Sequence, residues 1–477
     1  MEATQVNQPS SGHPVICIAG AGFSGVAVAC QLLKTLRQPT NLLLVNEHRH
    51  VGRGLAYGTP SPHHVLNVPA GRMGLYADDE GGFLRYLEQL GLPFSGGDFV
   101  PRSLYGAYLE YSLGEAIAEG RKKGVRLSLI QQDRVELLQP VGADGFEVSL
   151  KGGRSLHATA VVLALGNFPA RAPWKPTDDR ASDAGNVNSA WDGEGLATHD
   201  VEGDVLLIGS GLTAFDALLE LRHRGHRGQI HMLSRRGLLA QYHRPNETPP
   251  AKGVVPSDFL DGCGSARTML RQVRELCRLA AANGNDWRDV IGGLRQRTPA
   301  LWAQLPEAER RRFLRHVLPY WDTHRHRAAV SIGRRIDQEL AEGSLRVSAG
   351  RLLSVHRQEH EWLVEIQPRG TTQRHQRRYA AVVNCTGPSS DLTQVNDSLI
   401  RSLLDKGMIQ PDNLHLGLQV DADYRVRQRA PGARLDLFYV GPLLKAQLWE
   451  ATAVPELRQH AQRLAQEIGH TLYPKAP

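Results

Sequence analysis

Val15-Ile16-Cys17-Ile18-Ala19-Gly20-Ala21-Gly22-Phe23-Ser24-Gly25 opens on five apolar residues and passes, through glycines spaced G-x-G-x-x-G, into a helix-like stretch. A strand, a glycine turn and a helix in this order aim backbone N–H groups and a helix N-terminus at a pyrophosphate. The pattern returns at Val205-Leu206-Leu207-Ile208-Gly209-Ser210-Gly211-Leu212-Thr213-Ala214, with alanine at the third glycine position. One copy is a weak signal. Two copies a domain apart predict an α/β chain with two Rossmann-like dinucleotide-binding domains.

The next strand after each fingerprint predicts which dinucleotide that fingerprint holds. After the first, Asn41-Leu42-Leu43-Leu44-Val45-Asn46-Glu47 reads as a strand ending in an acid about 20 residues past the last glycine, placed to accept hydrogen bonds from a free ribose, as in FAD. After the second, Gln229-Ile230-His231-Met232-Leu233-Ser234-Arg235-Arg236-Gly237 ends in a serine and two arginines. A carboxylate there would repel a ribose phosphate, whereas a guanidinium grips it, so the second site is expected to take NADPH, with NADH as the alternative. Gly20, Gly22, Phe23, Ser24, Gly25 and Glu47 are thus assigned to FAD. Gly209, Ser210, Gly211, Thr213, Ser234, Arg235 and Arg236 are assigned to NADPH. This pairing is that of a flavoprotein reduced by a nicotinamide.

The 477 residues, 41% hydrophobic and 22% charged, suffice for two or three domains with substantial cores. Five scattered cysteines form no C-x-x-C, which argues against a disulfide reductase and a zinc site, and no metal is expected. The net charge of +7 comes from basic residues interleaved with acids and accompanied by few aromatics, so nucleic acid is not an expected partner; attraction of anionic cofactors or an anionic substrate is a sufficient reading. No run reaches the roughly 18 to 20 apolar residues of a membrane span, and residues 1–12 read as a loose tail, not a signal peptide. A cytoplasmic protein with no membrane partner is the expectation.

Residues 13–195 and 345–470 are expected to form a discontinuous FAD-binding domain, and 200–344 an NAD(P)H-binding domain with a helical insertion at 257–342. In that insertion Met269, Leu270, Val273, Leu276, Cys277 and Ala280 recur at helix-face spacing. Val125 to Leu138 reads as strand. The runs ending in Gly166 and Gly387 echo each other and mark the two crossings between domains. Near the end, Trp449 precedes a helix start with Thr452 as N-cap, Pro455 in the first turn and Glu456 at the positive dipole end.

The chain also resembles, from about residue 13 to 465, the bacterial FAD/NAD(P)-binding protein family. The resemblance rests on Gly20 to Gly25, Gly-Leu-Ala-Tyr-Gly at Gly54–Gly58, Leu-Asn-Val-Pro-Ala-Gly-Arg-Met at Leu66–Met73, the stretch Phe99 to Gly106, Trp321 to Arg327 and Gly441 to Arg458. The family is similar to class B flavin monooxygenases and N-hydroxylating enzymes. The hinge reads Gly166-Asn167-Phe168-Pro169 in place of the Baeyer–Villiger signature, so ketone oxygenation is not expected. The resemblance implies hydride transfer from NADPH to FAD and a flavin hydroperoxide that oxygenates a nucleophilic nitrogen or sulfur of a small, anionic or amino-acid-like substrate, with molecular oxygen as co-substrate. An NADPH-dependent reductase or dehydrogenase, or a non-enzymatic redox sensor, would carry the same fingerprints.

Candidate catalytic residues lie in the irregular segments. Asn67 and Arg72 sit in the loop expected over the flavin, where an amide or guanidinium can hydrogen-bond a developing negative charge. His324, Arg325 and His326 offer an acid near neutral pH and a carboxylate clamp. Gly54, Met73, Val135, Gly166, Gly387, Gly441, Trp449 and Thr452 complete the expected cofactor surface.

Overall fold

A computed structural model of the chain describes residues 12–142, 145–174, 187–190, 202–245, 251–429, 432 and 434–474. They fall into two units. The first comprises Met1–Pro60, Val68–Phe168 and Ser390–Pro477; the second comprises Ser61–Asn67 and Pro169–Ser389.

The first unit is built on a five-stranded parallel sheet in the order Leu437–Tyr439, Ala160–Leu163, Val15–Ala19, Thr40–Asn46, Val125–Gln131. Val15–Ala19, Ala160–Leu163 and Leu437–Tyr439 are wholly buried apolar runs and Leu42–Val45 is buried too, whereas the edge strand Val125–Gln131 is buried only at Val125 and Ile130. Val15–Ala19 is the switch point, flanked by the next strand in the chain on one side and by a much later strand on the other. In open α/β sheets the carboxyl end of such a strand is where ligands bind. Helix Phe23–Thr35 leaves the turn and packs against the last helix, Val454–Leu472. A small antiparallel sheet, Val135–Pro140, Phe146–Leu150 and Ser155–Ala158, completes the unit. The expected single strand from Val125 to Leu138 is broken at Gln132, whose φ of 56° turns the chain out of the large sheet.

The second unit has a seven-stranded sheet ordered His375–Tyr379, Glu361–Pro368, Leu345–Gln358, Ile230–Ser234, Val205–Ile208, Ala381–Asn384, Asn188–Ser189. Its switch point is Val205–Ile208, the strand before the second fingerprint. This overturns part of the expected division: residues 345–384 belong with the second fingerprint, because Leu345–Ala349 pair in parallel with Ile230–Ser234 and Ala381–Asn384 with Val205–Ile208. The first unit resumes only at Ser390. Buried polar groups pin this sheet. His231 lies between the Tyr379 hydroxyl and Ser348 Oγ, each 2.6 Å away, and burial, with Arg346 and Arg377 nearby, pushes its pKa down to about 4. The buried Glu339 carboxylate binds Arg222, Arg335 and the Ser344 hydroxyl, fastening helix Val330–Ala341 to helix Leu212–His223.

Between Ile230–Ser234 and Leu345–Gln358 the chain forms the helices Ala266–Ala282, Trp287–Leu294, Thr298–Gln304, Glu307–Arg312, Leu318–Arg325 and Val330–Ala341. Leu260, Ala280, Val290, Leu294 and Leu301 form their core, with Met269, Val273, Leu276 and Cys277 packed on it. No helix among the described residues is long and apolar enough to cross a membrane.

Candidate functional site

Each fingerprint glycine has a distinct physical reason. Gly20 has φ +106°, and a Cβ there would lie 2.4 Å from the Ala164 carbonyl oxygen; Gly209 has φ +119°, with a Cβ 2.6 Å from the Cys385 oxygen. In both units the first glycine lets the turn pass under the end of a neighbouring strand. A Cβ on Gly25 would strike the Gly20 oxygen at 1.9 Å, so this glycine brings helix Phe23–Thr35 close to the strand. Its counterpart Ala214 is buried with its methyl accommodated.

The middle glycines face space. A Cβ on Gly22 would meet only Gly54 Cα, at 3.9 Å, and one on Gly211 would meet nothing within 4 Å. Helices Phe23–Thr35 and Leu212–His223 begin at these glycines with no side-chain cap and no acid in the first turn. Their first N–H groups, at the positive dipole end, are disposed to take an anion. Ser24 is buried in the first of these turns, and Thr213 lies in the second.

The loop after Glu47 is fastened over the first turn. The Gly52 amide donates to Ala21 O at 2.7 Å, and Arg53 makes a two-pronged bond with Glu110, at 3.0 and 3.1 Å, beside Gly54. Glu47 comes directly after strand Thr40–Asn46, its side chain half exposed and 3.7 Å from Arg134 Nη1. Arg134 also donates to Asp397 at 3.0 Å, so the expected ribose carboxylate has a fixed cation beside it. Val135, next along, is buried and opens the small sheet.

Arg72 ends the short helix Ala70–Arg72, and Met73 is buried behind it. The carbonyls of Arg72 and Gly74 accept from Arg458 Nη1 at 3.3 and 3.1 Å, and Arg458 Nη2 also reaches Glu80. Arg458 is almost wholly buried. Gly441 has φ +147°, and the Leu443 amide donates to the Tyr439 hydroxyl at 3.0 Å. Trp449 is buried, with Lys445 Nζ 4.6 Å from its ring centre. Thr452 is not the N-cap: helix Val454–Leu472 starts one residue later, with Ala453 at the N-cap position and Pro455 and Glu456 in its first turn. Gly166 and Gly387 hold φ of +69° and +86°, and a Cβ on either would meet nothing within 4 Å.

The candidate catalytic residues divide between the units: Arg72 lies in the first, while Asn67, His324, Arg325 and His326 lie in the second. The Asn67 carbonyl oxygen is 3.2 Å from His243 Nε2. His324 Nδ1 lies 2.8 Å from the Tyr320 carbonyl, an acceptor only, so Nδ1 carries the hydrogen of that bond. The His324 ring stands edge-on to Trp287, 4.9 Å between centres, and Arg288 and Arg327 lie 4.4 and 5.9 Å from the same indole. His326 sits 3.9 Å from Asp322.

At the second nucleotide strand, Ser234 Oγ accepts from the Gly237 amide at 3.0 Å and lies 2.8 Å from Ser210 Oγ. Arg235 is exposed, and Arg236 contacts the helical insertion. Sequence reasoning missed Arg134, Arg458 and the Arg53–Glu110 clamp. The sole signal for them was an arginine in each of three segments, one read as an irregular loop, one as strand and one as a helix start.

Residues 17–168 match a family model described as FAD-NAD(P)-binding. No curated protein matches the chain. Its structure is similar to that of the ornithine N-hydroxylase of Kutzneria sp. 744, solved with reduced FAD, NADP+ and L-ornithine, at 15% identity over 96% of this chain and 99% of that one, TM-score 0.63. It is also similar to the FAD-bound cadaverine monooxygenase of the desferrioxamine pathway of Erwinia amylovora (15% identity, 98% and 96% covered, TM-score 0.64). A third likeness is to L-lysine 6-monooxygenase from Pseudomonas syringae (18% identity, 97% and 99% covered, TM-score 0.61). The chain therefore carries an FAD-NAD(P)-binding family match over residues 17–168 and has, along nearly its whole length, a fold similar to that of these three solved proteins.

Proposed function

We propose that the protein is an FAD- and NADPH-dependent monooxygenase acting on a nucleophilic nitrogen or sulfur of a small, anionic or amino-acid-like substrate. The observation that carries this reading is the repeated cradle: two uncapped helix N-termini, each begun by a glycine facing open space, one beside Glu47 and the other beside Ser234, Arg235 and Arg236. Three solved proteins of the same fold, described as hydroxylases or monooxygenases of ornithine, cadaverine and lysine, support it.

The first cradle, with Gly20, Gly22, Gly25, Gly54 and Glu47, would hold FAD, and the second, with Gly209, Gly211 and Arg235, would hold NADPH. A flavin bound there supplies electron transfer from a nicotinamide to oxygen. The overall balance is NADPH, a proton, oxygen and substrate converted to NADP+, water and the oxygenated substrate. The chain's own residues bind, orient and move protons. Arg72 and Asn67 supply donors, His324 presents Nε2 as acid or base, and Arg325 is the candidate clamp for a substrate carboxylate.

The test measures NADPH oxidation, oxygen uptake and hydrogen peroxide in the purified flavoprotein with L-ornithine, L-lysine, L-aspartate and cadaverine. Substrate-stimulated oxygen uptake with an N-oxygenated product and little peroxide supports the proposal. NADPH oxidation that ends wholly in peroxide or in an added quinone makes the protein a reductase.

A further inference from the structure

Helix Glu307–Arg312 runs into a wide π-turn at Phe313–Val317 and continues as Leu318–Arg325, the Leu318 amide reaching back to the Phe313 carbonyl. Pro319 accounts for the disturbance. In a regular helix the amide of residue 319 would serve the Arg315 carbonyl, and a proline nitrogen carries no hydrogen. Arg236 provides a donor instead. Its Nη2 donates to Arg315 O at 3.0 Å, its Nη1 to the Tyr320 hydroxyl at 3.3 Å, and its guanidinium lies 5.1 Å from the Tyr320 ring centre.

Arg236 lies two residues past Ser234, the last residue of the strand whose carboxyl end faces the ribose in a dinucleotide unit. Redirecting it to a phosphate would break both hydrogen bonds and the ring contact. Ser234 is engaged as well. Its Oγ accepts from the Gly237 amide at 3.0 Å and from the Ser210 hydroxyl at 2.8 Å, and Ser210 Oγ also lies 2.6 Å from Leu238 O. Arg235 has no such commitments: it is exposed and forms no ion pair among the described residues.

We propose that the two arginines divide the work. Arg235 grips the 2′-phosphate of an NADP-type nucleotide and sets its preference over NAD. Arg236 is a positioning residue that replaces the donor lost at Pro319 and ties the helix bearing His324 and Arg325 to the nucleotide strand. The inference rests on the reading of the second unit as an NADPH site.

Its test uses the full-length flavoprotein and two probes that differ only by the 2′-phosphate, adenosine 2′,5′-bisphosphate and 5′-AMP, with binding measured by calorimetry. Arg235→Gln is expected to weaken the bisphosphate about 10- to 100-fold, the effect of losing one or two charge-assisted hydrogen bonds. It should leave 5′-AMP within about threefold of wild type. Arg236→Gln is expected to keep both affinities within about threefold while exposing residues 313–325 to limited proteolysis. Pro319→Ala, which returns an N–H to residue 319, should restore protection in the Arg236→Gln background and keeps the test open if the single variant folds poorly. The division is overturned if Arg236→Gln loses the bisphosphate preference or Arg235→Gln keeps it. A wild-type chain that binds both probes equally removes the 2′-phosphate site itself, and with it the NADPH part of the proposed function.

Discussion

Gly22 and Gly25 belong to one turn, yet an added methyl group meets opposite surroundings at the two positions. At Gly25 the Cβ would lie 1.9 Å from the Gly20 oxygen, where 3.0 Å is the practical limit, so helix Phe23–Thr35 must withdraw by about 1.1 Å. Such overpacking costs roughly 2 to 3 kcal/mol against a backbone atom, and the helix preference for alanine returns about 1 kcal/mol. Gly25→Ala should therefore lose about 1 to 2 kcal/mol in the apoprotein. At Gly22 the backbone is extended, with φ −73° and ψ −164°, and the methyl meets only Gly54 Cα, so the apoprotein should change by less than about 0.5 kcal/mol. The methyl would instead fill the space through which a pyrophosphate approaches the helix amides. Losing one charge-assisted bond there costs about 1.5 to 3 kcal/mol, so FAD affinity should fall at least about tenfold. Urea unfolding of the apoproteins and FAD titration by flavin fluorescence separate the two effects. Should Gly22→Ala unfold as readily as Gly25→Ala, or bind FAD like wild type, the assignment of that space to the cofactor is wrong.

His231, ordinarily titrating near 6.5, is held to about 4. Between these values the unfolded chain takes up a proton that the folded chain refuses, so stability is whole above about pH 6.5 and declines toward pH 4, by about 3 kcal/mol in full. His231→Gln should flatten this slope in urea midpoints measured from pH 4 to 7, and an unchanged slope refutes the account. Glu339→Ala strands Arg222, whose side chain is 11% exposed, and should cost about 3 to 5 kcal/mol in the same assay; a cost under 1 kcal/mol would contradict it. Arg458→Met leaves behind two carbonyls and the mainly exposed Glu80, so about 1 to 3 kcal/mol is expected, together with faster flavin loss on dilution; full flavin retention would separate this arginine from the cofactor loop.

The first turn is readable in the sequence because its requirements are local: three glycines and one acid report a tight turn, a close approach and a ribose partner within about 30 residues. Residues 345–384 are harder to assign because strand character carries no statement of which sheet a strand joins, and the pairing of Leu345 with Ile230 is fixed by the crossover helices between them. Arg134 and Arg458 are illegible for a related reason. Each acts on a segment distant in sequence, on Asp397 and on Arg72 and Gly74, and an isolated arginine does not announce such a partner. The N-cap of the last helix falls one residue beyond its expected place because threonine is the better capping type, while tertiary packing starts the helix after Ala453.

The contact between helices Phe23–Thr35 and Val454–Leu472 gives the newborn chain a timing problem. Roughly 420 residues separate the two, so at 5 to 20 residues per second the first helix waits about 20 to 80 s for its partner to be synthesised. Strand Ala160–Leu163 likewise waits for its neighbour Leu437–Tyr439, over roughly 270 residues or about 14 to 55 s at the same rate. The second unit, encoded in between, has all its strands well before then. On the ribosome it is therefore expected to fold first, while one face of helix Phe23–Thr35 and one edge of strand Ala160–Leu163 stay uncovered, and a chain cut short after Ser389 would keep both uncovered.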